Sequence, residues 1–251
     1  MSKISYSKFS HLTFADFAAR AADEKLNPIE KIGFPSVYRE GYEEAIFAAI
    51  CANLPATTKE NSVIADIGCG CSNLTKMFLT QAEKYNQHWL LADSEAMLAH
   101  LPDAKNIEKI PGSFPQTLEK FFHVKGRVDA IIIYSVLHHV MLEQNPFQFL
   151  DAAVSLLAVG GKLLVGDIPN SSKRERFFSS ENGIKFHKQF IQTDTNPEVS
   201  PFTLKADTID DGILIGAMQR YRNAGFEAYI LPQPETLPMH NRREDLLITR
   251  W

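Results

Sequence analysis

The stretch "VIADIGCGCSNLT", Val63 to Thr75, decides the fold. An apolar, β-branched run ends in two glycines two residues apart. A helical pattern then begins, with Leu74, Met77, Phe78 and Ala82 in phase. This predicts a buried parallel strand, a tight turn and a helix. Three chemistries use such a turn: dinucleotide binding, binding of another cofactor, and a Cys-x-Cys metal or redox site. The dinucleotide fingerprint is G-x-G-x-x-G, but position 73 is Asn, so the glycine that lets the helix close on the strand is missing. Asp66, two residues before Gly68, puts a carboxylate where it would crowd a pyrophosphate. It suits a cofactor carrying an ammonium group. A zinc site at Cys69 and Cys71 would need two further ligands at sensible spacing, and none lies nearby. The two cysteines read as small side chains in a tight loop, Cys51 reads as core, and no metal is expected.

The flanking chain alternates strands and helices. "HWLLAD" is a second apolar run, ending on Asp93, and "SEAMLAHLP" is a short helix capped by Ser94 and stopped by Pro102. "NIEKIPGSFP" predicts a third, edge-like strand and a turn. "VDAIIIYSVLHHV" is the most β-prone segment. "NPFQFLDAAVSLLAVGG" predicts a helix with Asn145 as N-cap, Pro146 at its first position and a Gly-Gly stop. "KLLVGDI" is the next strand. Residues 169–207 are polar, Phe-rich and weakly periodic, a stretch long enough to suggest a functional lid. "IDDGILIGAMQRYRNAG" predicts a helix ending at Gly225. "FEAYILPQ" and "REDLLITRW" follow as strands joined too closely for a crossover helix, so they pair antiparallel. Residues 1–60 predict a helical cap and 61–251 the α/β domain.

The 251 residues can bury a proper core. A net charge of -4 and a pI near 6.1 argue against a sequence-independent nucleic-acid binder. No apolar run approaches the ~20 residues of a membrane span, and "MSKISYSKFS" lacks the apolar core of a signal peptide. Three cysteines are too few for a disulfide framework, which predicts a reducing, cytoplasmic setting. The sequence leaves the oligomeric state open, a homodimer included.

"DIGCGCSNLT" resembles motif I of the class I SAM-dependent methyltransferases, D/E-x-G-x-G-x-G, with Ser72 in place of the third glycine. "DAIIIYSVLHHV" is similar to the fourth-strand motif of their small-molecule members. "LLAVGGKLLVGD" is similar to the helix-turn-strand that follows it. The resemblance spans about Glu40 to Trp251. It implies a Rossmann-like, doubly wound, mostly parallel seven-stranded sheet with an antiparallel C-terminal hairpin strand, and S-adenosylmethionine (SAM) as cofactor. Asp66 would then orient the cofactor's amino group, and Gly68, Cys69 and Gly70 would form its loop. Asp93, with Ser94 beside it, would bind the ribose. Met97, Gly112, Ser113 and Phe114 would bound the adenine, Ser113 standing where the family usually has Asp. Tyr134 and Ser135 end the fourth strand at the ligand edge of the sheet.

Methyl transfer asks the protein to position the acceptor and to remove its proton. His138 and His139 follow the fourth strand and Asp167 ends the fifth, so these three are the base candidates; either histidine could instead shape the loop and Asp167 cap a turn. Lys173, Arg174 and Arg176 in "SSKRERFF", with His187, are candidates for binding an anionic group on the acceptor. Tyr38 and Arg39 in "GFPSVYREG" would close the site from the N-terminal side. The expected function is methylation of an oxygen or nitrogen on a small-molecule or metabolite-linked acceptor. "IGFPSVYREGYE" and "GDIPNSSKRERFF" resemble bacterial methyltransferases associated with surface-sugar biosynthesis. The competing readings are a non-catalytic partner subunit with the same fold and an NAD-dependent oxidoreductase.

Overall fold

The computed structural model describes residues 9, 11–200 and 207–251. Seven strands form one sheet in the order β3-β2-β1-β4-β5-β7-β6. They are β1 (Val63–Ile67), β2 (His88–Asp93), β3 (Ile107–Pro111), β4 (Val128–Tyr134), β5 (Leu157–Pro169), β6 (Phe226–Pro232) and β7 (Arg243–Arg250). β1 to β5 are parallel, while β7 runs antiparallel to both β5 and β6. The order reverses between β1 and β4, and that switch point opens a crevice at the strands' carboxyl ends. This is the doubly wound sheet and reversed hairpin that the sequence predicts.

Ten helices are described: α1 (Phe14–Ala22), α2 (Pro28–Lys31), α3 (Glu43–Asn53), α4 (Asn73–Lys84), α5 (Glu95–Leu98), α6 (Leu137–Glu143), α7 (Pro146–Val154), α8 (Ser171–Phe178), α9 (Glu181–Ile191) and α10 (Asp211–Asn223). They cover both faces because the central strands are apolar on both. Ile131 and Ile133 pack with α6, α7 and α10 residues such as Leu137, Leu150 and Leu214. Their neighbours Ala130 and Ile132 pack on the other face with Ile46 and Ile50 of α3 and Phe78 of α4. α1 and α3 rest on α5 and α4 respectively, so the N-terminal helices share a core with the sheet. No helix among the described residues is long and apolar enough to cross a membrane.

Two local expectations are corrected. The helix at Pro146 stops at Val154, and the Gly-Gly pair lies inside β5. Leu156 and Leu157 are fully buried, so their side chains draw the chain into the sheet before the glycines are reached. Gly160 is left-handed (φ +79°) and a Cβ on Gly161 would stand 2.7 Å from the Val128 carbonyl oxygen. The pair thus forms an irregularity in the β4–β5 register rather than a helix stop. The expected weakly periodic lid is mostly helical. Asn170 caps α8 by accepting from Lys173 N, and Ser180 caps α9 by accepting from Gly183 N. Phe177, Phe186 and Phe190 pack along one side of the pair. Residues 201–206 of the expected lid lie outside the described residues, as do 1–8 and 10 of the cap.

Candidate active site

The glycine loop leaves β1 and turns into α4. Gly68 (φ +77°) and Gly70 (φ +62°) are both left-handed, a conformation that glycine adopts without steric cost. A Cβ on Gly68 would lie 2.5 Å from Val136 Cγ2, and one on Gly70 2.8 Å from Ile32 Cγ2. The loop is therefore pressed between the segment after β4 and the N-terminal helices. Gly70 N donates to Asp93 Oδ2 (2.9 Å) and Ser94 N to Asp93 Oδ1 (2.7 Å). Asp66 is buried and lines the same cavity, and its carboxyl group has no hydrogen-bond partner among the described residues. Burial and the neighbouring Asp93 push its carboxyl up to about 8. Burial likewise raises Asp93 to about 6, against the two N–H groups that favour its charged form. Burial also raises the thiols of Cys69 and Cys71.

Of the residues expected at a cofactor, Cys69, Met97, Gly112, Ser113, Phe114, Tyr134 and Ser135 line this cavity with Asp66, Gly68, Gly70 and Asp93. Phe114 is fixed edge-on against Phe121 and Phe149. Ser94 does not line it; its hydroxyl caps α5 by accepting from Met97 N. Arg39, expected on the acceptor side, lies in this cavity instead. Its guanidinium stands over the rings of Phe34 (4.8 Å) and Tyr134 (5.3 Å), and its Nε is buried with no partner.

Behind the cavity, Ser135 Oγ donates to Asp167 Oδ2 (2.5 Å). Arg243 Nη1 donates to the same oxygen (2.9 Å) and to the Asp167 carbonyl (2.8 Å). Arg39 Nη1 reaches Ser135 Oγ at 3.3 Å and Asp167 Oδ2 at 3.6 Å. Ser135 (φ +62°) and Asp167 (φ +58°) are both left-handed, a conformation that costs a non-glycine residue about 1–3 kcal/mol. The buried charged hydrogen bonds hold them there. Asp167 lines neither cavity; the structure places this expected base in an anchoring network.

A second cavity adjoins the first, with His139 and Phe34 in the walls of both. His139 Nδ1 lies 3.2 Å from the Leu12 carbonyl, and its ring meets Phe17 edge-on at 4.7 Å. Donation by Nδ1–H to that carbonyl leaves the lone pair on Nε2. Burial pushes His139 down to about 4, with Arg243 adding to the shift and the Leu12 hydrogen bond opposing it. His138 lines the second cavity only; its Nδ1 is buried without a partner, and burial lowers it well below the usual range.

Of the residues expected to bind the acceptor, Tyr38 and Arg174 line the second cavity, Tyr38 stacking on Phe190. Lys173, Arg176 and His187 do not. Lys173 Nζ donates to the Arg243 carbonyl, Arg176 pairs with Asp211, and His187 packs on the Phe178 ring. In their place stand Arg242 and Arg243, which the sequence reading missed. The signal was present. β7 runs antiparallel, so its first residues must return to the ligand edge, where Arg243 pairs with Pro169. Away from both cavities, His88, Glu108 and His123 bring three possible ligand atoms within 4.8 Å of one another.

Residues 65–163 match a family model described as a methyltransferase domain. No curated protein matches the chain. Among solved structures, the chain is similar to the plantazolicin methyltransferase BpumL in complex with SAH, at TM-score 0.57 and 15% identity over 98% of this chain and 96% of that one. It is similar to the CurJ carbon methyltransferase at 0.54 and 16%, over 97% of this chain and 68% of that one. A third is the Haloferax volcanii putative methyltransferase in complex with the Trm112 activator, at 0.52 and 12%, over 94% and 97%. The switch-point crevice and the reversed seventh strand agree with these likenesses. Residues 65–163 match a methyltransferase-domain model, and the whole chain has the Rossmann-like fold of the methyltransferase structures it is similar to.

Proposed function

We propose that the chain is a SAM-dependent methyltransferase acting on an oxygen or nitrogen of a small-molecule or metabolite-linked acceptor. The observation that carries this reading is the junction of the two cavities at His139. The first cavity fits the cofactor group by group. Asp66, a carboxylate with no protein partner, would take the ammonium, and Arg39, a guanidinium with a spare buried Nε, the carboxylate. Asp93 retains lone pairs for ribose hydroxyls. Met97 and Phe114 offer apolar walls to the adenine. Gly68 and Gly70 leave room that a Cβ would take. The chemistry supplied there by the bound cofactor is an electrophilic methyl group on a sulfonium.

The chain's own part is to orient the acceptor and receive its proton. His139 lines both cavities and is neutral at neutral pH, with Nε2 free to accept, so it is the proposed proton acceptor for a hydroxyl or an ammonium losing its proton. Ser135, Asp167 and Arg243 would hold the strand ends that set this geometry. A cytoplasmic setting and a role in surface-sugar biosynthesis belong to the same proposal; the first rests on the three free cysteines, the second on sequence resemblance. Intact glycines and acids in the first cavity favour an enzyme over a non-catalytic subunit. The test is calorimetric titration of the full chain with S-adenosylhomocysteine and with NADH, followed by incubation with methyl-labelled SAM and a metabolite extract. Binding of S-adenosylhomocysteine alone, with label entering the small-molecule fraction, is expected. Absence of binding favours the non-catalytic subunit, and binding of NADH alone the oxidoreductase.

A further inference from the structure

The second cavity carries a charge pattern that the cofactor site does not use. Arg174, on α8, and Arg242, just before β7, place their guanidinium groups 5.1 and 5.6 Å from the ring centre of one residue, Phe178. Phe178 is buried, so it forms a fixed platform for both cations at the cavity wall. Arg174 is engaged by Glu175 and by the Glu198 carbonyl. Arg243 is engaged by Asp167. The Arg242 side chain donates to the side-chain oxygen of Asn241 (3.1 Å) and has no carboxylate within ion-pair distance among the described residues, Asp167 and Tyr38 acting on its charge only from farther away. Burial drags its pKa down to about 10. Of the three acids in the cavity wall, Glu175 accepts from Ser200 N as well as Arg174, Asp207 lies 3.7 Å from His11, and Glu198 meets Arg174 through its carbonyl. A guanidinium desolvated without a counter-ion is unfavourable, and its planar fork matches a carboxylate or a phosphate.

We propose that the second cavity is the acceptor site and that the acceptor carries a carboxylate or phosphate group, held by Arg242 with Arg174 beside it. The cavity, about 550 Å³, has the size of a small-ligand site. With the anion anchored at Arg242, the acceptor's hydroxyl or amine extends toward His139. The anion also offsets the positive field of Arg243 on His139 and makes that imidazole a better base. The term acceptor rests on the methyltransferase reading; the anion site rests on Arg242 itself.

The test titrates inorganic phosphate and citrate separately into the full chain at constant ionic strength, followed by calorimetry. Saturable binding of at least one anion is expected, and Arg242→Gln should weaken it by about tenfold or more. Arg127→Gln, at an exposed arginine remote from the cavity lining, should bind as the wild type does. Phosphate alone points to a phosphorylated acceptor, and citrate alone to a carboxylate. If Arg242→Gln does not fold by circular dichroism, Arg174→Gln takes its place with the same expectation. Saturable binding of neither anion, or wild-type affinity in the folded variant, overturns the proposal. S-adenosylhomocysteine titrated into the same proteins should bind Arg242→Gln as it binds the wild type. Failure to bind the wild type would remove the methyltransferase reading and leave the anion site standing.

Discussion

Asp66→Asn removes one charge from a buried carboxyl and keeps its shape. In the unliganded chain Asp66 titrates at about 8, so at pH 7 it is roughly nine-tenths protonated. An ammonium brought against it favours the charged form, so binding of S-adenosylhomocysteine must expel that proton. The wild type should release ~0.9 proton per ligand at pH 7, and its affinity should rise about ninefold from pH 6 to 7 and about fivefold from pH 7 to 8. The variant has no proton to lose at this site. At pH 8 it forgoes a charged hydrogen bond of about 1.5–3 kcal/mol, equivalent to roughly 10–150-fold in affinity. Near pH 6 the two proteins should converge. Calorimetry in buffers of different ionisation enthalpy counts the protons directly. Unliganded stability carries the matching sign. A folded pKa raised from 3.8 to about 8 gives stability that is present below pH 4 and lost as the pH rises through 8. Asp66→Asn should lack that loss. No proton release by the wild type at pH 7, or the same pH slope in both proteins, refutes the pairing of Asp66 with an ammonium.

Gly68→Ala forces a left-handed alanine and sets a methyl 2.5 Å from Val136 Cγ2; denaturant unfolding should show a loss of about 2–4 kcal/mol, of which Val136→Ala restores only the steric part. His139→Ala should lower kcat by about 10²–10⁴ while S-adenosylhomocysteine affinity stays nearly constant; equal losses in both would reject His139 as the base. Asp167→Asn leaves Arg39 and Arg243 without their shared carboxylate and should cost about 3–5 kcal/mol of stability. If that variant unfolds like the wild type but loses turnover, Asp167 is a base after all.

The sheet was legible because its signals are local. β1 and β4 are largely apolar runs rich in β-branched residues, Ser94 and Asn145 are polar caps beside apolar periodicity, and the short link before "REDLLITRW" leaves no room for a crossover. The first cavity was legible for a related reason. Asp66, Gly68, Gly70 and Asp93 sit at strand ends, and the parallel order brings those ends together. The second cavity was harder to read. Lys173, Arg174 and Arg176 lie within four residues, but a helix sends them in different directions, and only Arg174 meets the second cavity. Arg39 reaches the first cavity through packing between Phe34 and Tyr134, a contact across about a hundred residues that no spacing rule encodes. The helix stop at Gly160–Gly161 failed because burial of Leu156 and Leu157 outweighed the local turn preference.

The most direct measurement is a crystal structure of the full chain with S-adenosylhomocysteine. The ligand is expected in the first cavity, with its amino group on Asp66, its ribose on Asp93 and its sulfur facing the side where His139 opens to the second cavity. Ligand bound elsewhere, or in this cavity with Asp66 and Asp93 uncontacted, would contradict that expectation.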